Sequence, residues 1–130
     1  MIGNCRLRHH RLARAVTWAA GESPPVRVVA PKCVQATYCE RATESGKRQL
    51  VIHLLNNVNT PADHGFLATD VPLREESLPI HDIRVAVGTS DYSRWTVQPA
   101  GHDPRVERDG ATTAIRLPPL DVHSPLVGDA

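Results

Sequence analysis

The chain has 130 residues and a mass of 14.2 kDa, which is room for one domain. Hydrophobic residues make up 41% of it, enough for a sizeable core, but aromatic residues make up only 4%, too few for a platform that stacks single-stranded nucleic acid. Lys and Arg number 15 against 14 Asp and Glu, and this net charge of +1 argues against a nucleic-acid binder.

The N-terminal 21 residues predict an amphipathic helix over about residues 7–20, which Gly21 would end and Pro24-Pro25 would not continue. One face of this helix carries apolar residues at helical spacing: Leu12, Ala15, Val16 and Ala19. We therefore expect a helix in 1–21 and a separate domain in 22–130. Because the segment is rich in Arg and free of acids, a mitochondrial transit peptide is an alternative, and a helix left from an upstream domain is another.

After the prolines the hydrophobic period changes to two, which predicts strands at 26–30, 33–39 and 49–55. The alternation in 33–39 is typical of a half-buried strand. In 49–55 both faces are apolar, which predicts a central strand covered on both sides. Cys33 and Cys39 would lie ~20 Å apart along one strand, too far for a disulfide.

Alternation resumes near residue 83 and continues in short segments to residue 127, with Asp109-Gly110 as a hairpin signal. Pro125 predicts that the last strand, 121–127, lies at a sheet edge. Seven or eight short strands at hairpin spacing predict an all-β fold, an antiparallel β-sandwich with one N-terminal helix.

The segment 56–79 is long and irregular, and loops of this length are uncommon unless they have a function or make contacts. Together with the residues just after it, it holds the one cluster that would suit a small enzyme, formed by His64, Asp70, His81 and Asp82. With Asp63 added, the same cluster would suit a metal site. The adjacent pair Glu75-Glu76 does not by itself supply the opposed carboxyls of a glycosidase. We expect solvated loop residues in both cases, and no metal and no cofactor.

Two further residues allow a functional and a structural interpretation. His53 lies in the predicted central strand, where a hydrogen-bonded core histidine is the favoured interpretation. Trp95 is expected in the core, with sugar stacking as the alternative. The odd number of cysteines, without an obvious secretory signal, favours a reducing compartment, here the cytoplasm. No apolar run reaches the ~20 residues that span a bilayer, so no membrane partner is expected.

The run Leu50 to Asn56 resembles a strand in the C-terminal β-sandwich of β-galactosidase-like glycoside hydrolases, which carry a barrel and a trimerisation domain. Some of these enzymes are described as fucosidase-like or as hypothetical glycosyl hydrolases. A second similar block begins at Pro79 and includes His81 and Asp82, and the hairpin at Asp109-Gly110 and the segment Val122-His123 follow it. The resemblance covers about residues 10–127 and implies structural roles for His53, Asn56, Pro79, His81 and Asp82.

Since these enzymes hold their catalytic carboxylates in the barrel, the resemblance implies a non-catalytic accessory domain or fragment, with no catalytic residue of its own. Its partners would be the catalytic barrel or the trimerisation domain, and carbohydrate through Trp95. Asn56 would fix the following loop by hydrogen bonds to backbone. The alternative is a free-standing immunoglobulin-like module that binds sugar or protein.

Overall fold

A computed structural model describes residues 19, 21, 25–58, 77–88, 91–99 and 103–130. The predicted N-terminal helix and the boundary after residue 21 lie almost wholly outside the described residues and stay predictions. In the described part eight strands follow one another along the chain. They are β1 (Val26–Val29), β2 (Val34–Ala42), β3 (Arg48–Asn56), β4 (Arg84–Val87), β5 (Arg94–Val97), β6 (Arg105–Asp109), β7 (Thr112–Arg116) and β8 (His123–Asp129).

The eight strands form two four-stranded sheets, and every pairing is antiparallel. The first sheet has the order β1-β4-β7-β6 and the second the order β2-β3-β8-β5. The all-β antiparallel fold and the predicted number of strands are therefore confirmed. The predicted hairpin is also present: β6 and β7 pair up to Asp109↔Thr112, and Gly110 between them has a φ of 57°. This positive φ fits glycine at the first central position of a hairpin turn.

The hydrophobic core lies between the two sheets, because the alternate side chains of each strand point to one face. Its members are Val26, Leu50, Ile52, Leu54, Ile80, Ile83, Val85, Val87, Tyr92, Trp95, Val97, Ile115, Leu117, Leu120 and Leu126. The centre of β3 is among the most buried stretches, since Ile52 and Leu54 are both 0% exposed.

The prediction that β8 is an edge strand is wrong, because β8 lies between β3 and β5. In an antiparallel strand the N and C=O of one residue point towards the same neighbour. The backbone N of Gln98 donates to the carbonyl of Pro125 at 2.9 Å, just past the end of β5 at Val97. The N–H that proline lacks would therefore face Gln98, so Pro125 removes one hydrogen bond at the end of the β5–β8 ladder and none from the pairing with β3. A central strand tolerates proline at such a position.

Two predictions of burial are also wrong. β2 is exposed along nearly its whole length, and Tyr38, which faces the core side, is 48% exposed. β2 pairs with β3 at the sheet edge, and no other described strand pairs with it. The outer face of β3 is covered in part only, because Val51 is 6% exposed whereas Leu55 is 37% exposed.

Candidate functional site

Asn56, the last residue of β3, joins three segments of the chain. Its Nδ2 donates to the carbonyl of Leu78 at 2.8 Å and to that of Asp121 at 2.7 Å. Its Oδ1 accepts a hydrogen bond from the backbone N of Val58 at 3.0 Å. The predicted hydrogen bond from Asn56 to the loop that follows it is thus present. Because the amide uses both its donor and its acceptor on backbone, its role here is structural.

The block that begins at Pro79 lies beside this junction. Ile80 and Leu120 exchange backbone hydrogen bonds of 2.8 and 2.9 Å, and Ile83 accepts one of 3.0 Å from Leu117. Ile80 and Ile83 are both buried. In a regular strand, residues that are three positions apart point to opposite faces, so the chain must bulge between these two isoleucines. The bulge consists of His81 and Asp82, both exposed, and Asp82 has the left-handed φ of 58°.

The facing segment of the same chain makes a matching bulge. Leu117 and Leu120 are both buried, and the two residues between them are Pro118-Pro119. His81 and Asp82 therefore lie outside the core because they fill the bulge that keeps two isoleucines inside. Their role as part of a family motif stays a prediction.

His53 is not a core histidine, and this part of the prediction is wrong. Its side chain is half-buried on the outer face of the second sheet, because the odd-numbered residues of β3 point away from the core. Its Nδ1 lies 3.2 Å from Nε2 of His123 on β8, and the two rings stack with centroids 5.4 Å apart and planes 8° apart. The hydrogen-bond partner expected for His53 is thus another histidine at the surface.

Only part of the loop cluster named from the sequence lies within the described residues. His64, Asp70 and the pair Glu75-Glu76 lie outside them, and His81 is exposed. In the described ranges no group of three or more His, Cys, Asp or Glu could hold a metal ion. Cys33 and Cys39 are free thiols among the described residues. No described helix is long and apolar enough to cross a bilayer.

Trp95 lies in the core, as its favoured interpretation predicted. It is 7% exposed, packs against the backbone of Gly128, and meets the Tyr92 ring edge-on at 5.8 Å between centroids. Its Nε1 is buried without a hydrogen-bond partner among the described residues. Sugar stacking on Trp95 stays a prediction, and the burial of the ring argues against it.

A polar cluster that the sequence did not suggest surrounds Tyr92, which is 1% exposed. Its hydroxyl donates to Oε1 of Glu40 on β2. Burial, and after it this hydrogen bond to Glu40, raise the pKa of Tyr92 to about 12. Nearby, Nη2 of Arg48 lies 2.9 Å from Oδ2 of Asp91, and this hydrogen bond and charge raise the pKa of Arg48.

The same cluster connects the two sheets. Nη2 of Arg108, on β6 of the first sheet, donates to the carbonyl of Ser93 at 2.8 Å, next to β5 of the second sheet. The contacts are between residues far apart in sequence, and single polar residues on exposed strands carry no local signal of them. The cluster supplies hydrogen bonds across the sandwich.

No family model and no curated protein matches the chain. Among solved structures, alpha-L-fucosidase isoenzyme 2 from Paenibacillus thiaminolyticus has the same fold over part of its length, with a TM-score of 0.66 and 19% sequence identity. The match covers 90% of this chain and 17% of the fucosidase chain. At this identity the likeness is one of fold, and this β-sandwich is similar to a small part of a much longer glycoside hydrolase.

Proposed function

We propose that the chain is a non-catalytic accessory domain of a glycoside hydrolase, where it braces a catalytic barrel or a trimerisation domain. The observation that carries the proposal is the fold match over 90% of this chain to only 17% of a fucosidase chain. A sandwich of this kind therefore occurs as a minor part of a larger hydrolase. The residues that resemble the terminal sandwich of β-galactosidase-like enzymes support the same assignment.

The described acidic residues also support a non-catalytic role. A glycosidase holds two carboxyls across one glycosidic bond in a site that shields them from water. Here the space between the sheets is filled by apolar side chains, and Glu40, Asp82, Asp91 and Glu107 are exposed.

A free-standing module that binds sugar or protein is the second candidate. It is favoured by the exposure of Leu55 and His123 on the second sheet and of Val29 on the first, which shows that the outer faces of both sheets reach solvent. Fold alone does not distinguish a module of this type from a bracing domain.

The bracing role is tested with the coding sequence that adjoins this chain in its genome. We expect a neighbouring sequence to encode a catalytic barrel, and we expect the barrel to melt at a higher temperature and to hydrolyse aryl glycosides faster when it is expressed together with this chain. A neighbourhood without a barrel would contradict the proposal. So would a barrel whose melting temperature and activity are the same with and without the chain.

The non-catalytic assignment is tested on the purified chain with a panel of nitrophenyl glycosides. We expect no hydrolysis above background, because the described carboxyls, apart from the half-buried Asp129, are exposed to solvent. The control is the double variant Glu75→Gln/Glu76→Gln. Turnover that disappears in this variant would place a reaction centre on the 56–79 loop and overturn the accessory-domain proposal.

A further inference from the structure

Three arginines lie side by side on the outer face of the first sheet. Arg116 of β7 is the direct cross-strand partner of Arg84 on β4 and of Arg105 on β6. Neighbouring strands are about 4.8 Å apart, so the arginine row Arg84–Arg116–Arg105 spans roughly 10 Å. All three residues are exposed. The row thus presents three guanidinium groups in a line at the protein surface.

The row has no partner of opposite charge among the described residues. The one ion pair found among the described residues joins Arg48, on β3 of the second sheet, to Asp91, in the segment before β5, and involves no arginine of the row. Glu107 lies two positions from Arg105 on the same face but forms no ion pair with the row. Like charges directly opposite one another destabilise a sheet, so a bound anion would relieve repulsion that the fold itself leaves in place.

Next to the arginine row, the two central positions of the sheet carry small side chains. Ala86 of β4 and Ala114 of β7 are cross-strand partners there, with Arg27 and Glu107 at the two ends. Beside these alanines, the arginine side chains line a shallow depression of about 260 Å³. It is lined by Arg84, Arg105, Glu107, Ala114, Ile115 and Arg116. A flat, narrow ligand can therefore lie over Ala114 while its anionic groups meet the guanidiniums.

The composition of this face favours a small charged ligand over a protein surface. Protein interfaces concentrate apolar and aromatic residues at their centre. The outward-facing described residues of the four strands include no aromatic side chain, and the large exposed apolar residue among them, Val29, lies on the edge strand β1. Guanidinium groups, in contrast, bind carboxylate and sulfate with two parallel hydrogen bonds each.

We propose that the arginine row binds the carboxylate or sulfate groups of an acidic oligosaccharide. Three guanidiniums in line match anionic groups that repeat along a sugar chain, and the small side chain of Ala114 leaves room for the sugar rings beside them. The site does not depend on the proposed bracing role, because it lies wholly within this chain and its test needs no barrel.

The test is calorimetric titration of the full chain, at low ionic strength, with an oligogalacturonate and with a heparin-derived oligosaccharide. The two probes distinguish carboxylate from sulfate as the preferred group, and a neutral maltooligosaccharide serves as the uncharged control. We expect one or both acidic sugars to bind, with an affinity that falls as salt is added, and the neutral sugar not to bind. Absence of binding to both acidic sugars would overturn the proposal.

The decisive variants remove equal charge from different places. The row variant carries Arg84→Gln, Arg105→Gln and Arg116→Gln, and the matched control carries Arg41→Gln, Lys47→Gln and Arg94→Gln, three exposed cations of the second sheet and its β2–β3 turn. We expect the row variant to bind at least about tenfold more weakly and the control to bind nearly as well as the unmodified chain. Equal losses in the two variants would mean non-specific attraction and would overturn the site.

Two further measurements complete the test. Arg116→Lys keeps the charge and removes the bidentate fork, so an affinity well below that of the unmodified chain supports recognition by guanidinium. A thermal melt of the row variant should be cooperative, because the three side chains are exposed, and the single variant Arg116→Gln serves if it is not. Equally tight binding of a polyglutamate peptide would replace the oligosaccharide by an acidic protein as the partner, and would contradict the proposal.

Discussion

Gly128 leaves room for the Trp95 ring, and its replacement by alanine tests the packing of the core. Gly128 lies on β8 between Leu50 of β3 and Trp95 of β5. A Cβ at this position would be 2.7 Å from both Cη2 and Cζ3 of Trp95, whereas ordinary contact begins at 3.4 Å. The ring cannot retreat freely, since it is 7% exposed and meets Tyr92 on the core side. Gly128→Ala therefore forces a shift of about 0.7 Å on buried groups, the difference between these two distances.

The size of the effect follows from two opposing contributions. Overpacking a well-filled core costs ~1–3 kcal/mol of the free energy of unfolding. Replacing glycine by alanine in a compatible conformation stabilises a protein by ~0.4–1 kcal/mol, because the unfolded chain has less conformational freedom to lose. We expect Gly128→Ala to be destabilised by a net ~1–2 kcal/mol in urea unfolding at neutral pH.

Gly88→Ala is the matched control, since its Cβ would meet the carbonyl of Pro25 at an ordinary 3.7 Å. We expect it to change stability by less than ~0.5 kcal/mol or to stabilise slightly. In the Trp95→Phe background, where the larger ring is gone, Gly128→Ala should lose most of its cost, which a double-mutant cycle measures as a coupling energy of ~1 kcal/mol or more. A Gly128→Ala variant as stable as the unmodified chain would refute the close contact between the ring and the β8 backbone.

Two other perturbations test the core and its polar edge. Leu54→Ala should lower the free energy of unfolding by ~2–5 kcal/mol, because Leu54 is 0% exposed. Leu55→Ala, on the outer face of the same strand, should lower it by less than ~1 kcal/mol. Equal urea midpoints for the two variants would contradict the assignment of faces. Because the folded chain holds the Tyr92 proton up to a pKa of about 12 and the unfolded chain releases it near 10, the contribution of this group to stability is complete below about pH 10 and is lost as pH rises towards 12. Tyr92→Phe should cost ~1 kcal/mol at neutral pH, since the bond to Glu40 is lost, and should fall less steeply than the unmodified chain between pH 10 and 12; parallel curves would exclude the raised pKa.

The strands could be predicted from the sequence because each is a short period-two segment bounded by turn residues. The segments around Ile52, Val85 and Ile115 keep this alternation with one face inside, and each is a strand in the structure. The order of the strands in the sheets was not available from such local patterns. Pro125 illustrates the limit, because its effect on position depends on where the neighbouring strand ends, and that end at Val97 is a property of the pairing.

The burial of individual faces was predicted less well for a related reason. Alternation of apolar and polar residues indicates that the two faces of a strand differ. Whether a face is buried depends on which other segments of the chain pack against it. Tyr38 points to the core side of β2 and is still 48% exposed, because the apolar core contacts of its sheet are made mainly by β3, β8 and β5. His53, in contrast, sits in the centre of the sheet and yet faces outward, where its cross-strand neighbourhood supplies His123 as a partner.

The arginine row shows why the chemistry of the surface was the least predictable part. Arg84, Arg105 and Arg116 are separated by 21 and 11 positions, so no run of basic residues announces them. Their alignment arises because β7 pairs with β4 on one side and β6 on the other, which places Arg116 between the other two. A net charge of +1 for the whole chain describes neither this row nor its surroundings. Screening limits each exposed charge to about 8–10 Å at physiological salt, so an approaching anion responds to the three guanidiniums near it and not to the chain's balanced total.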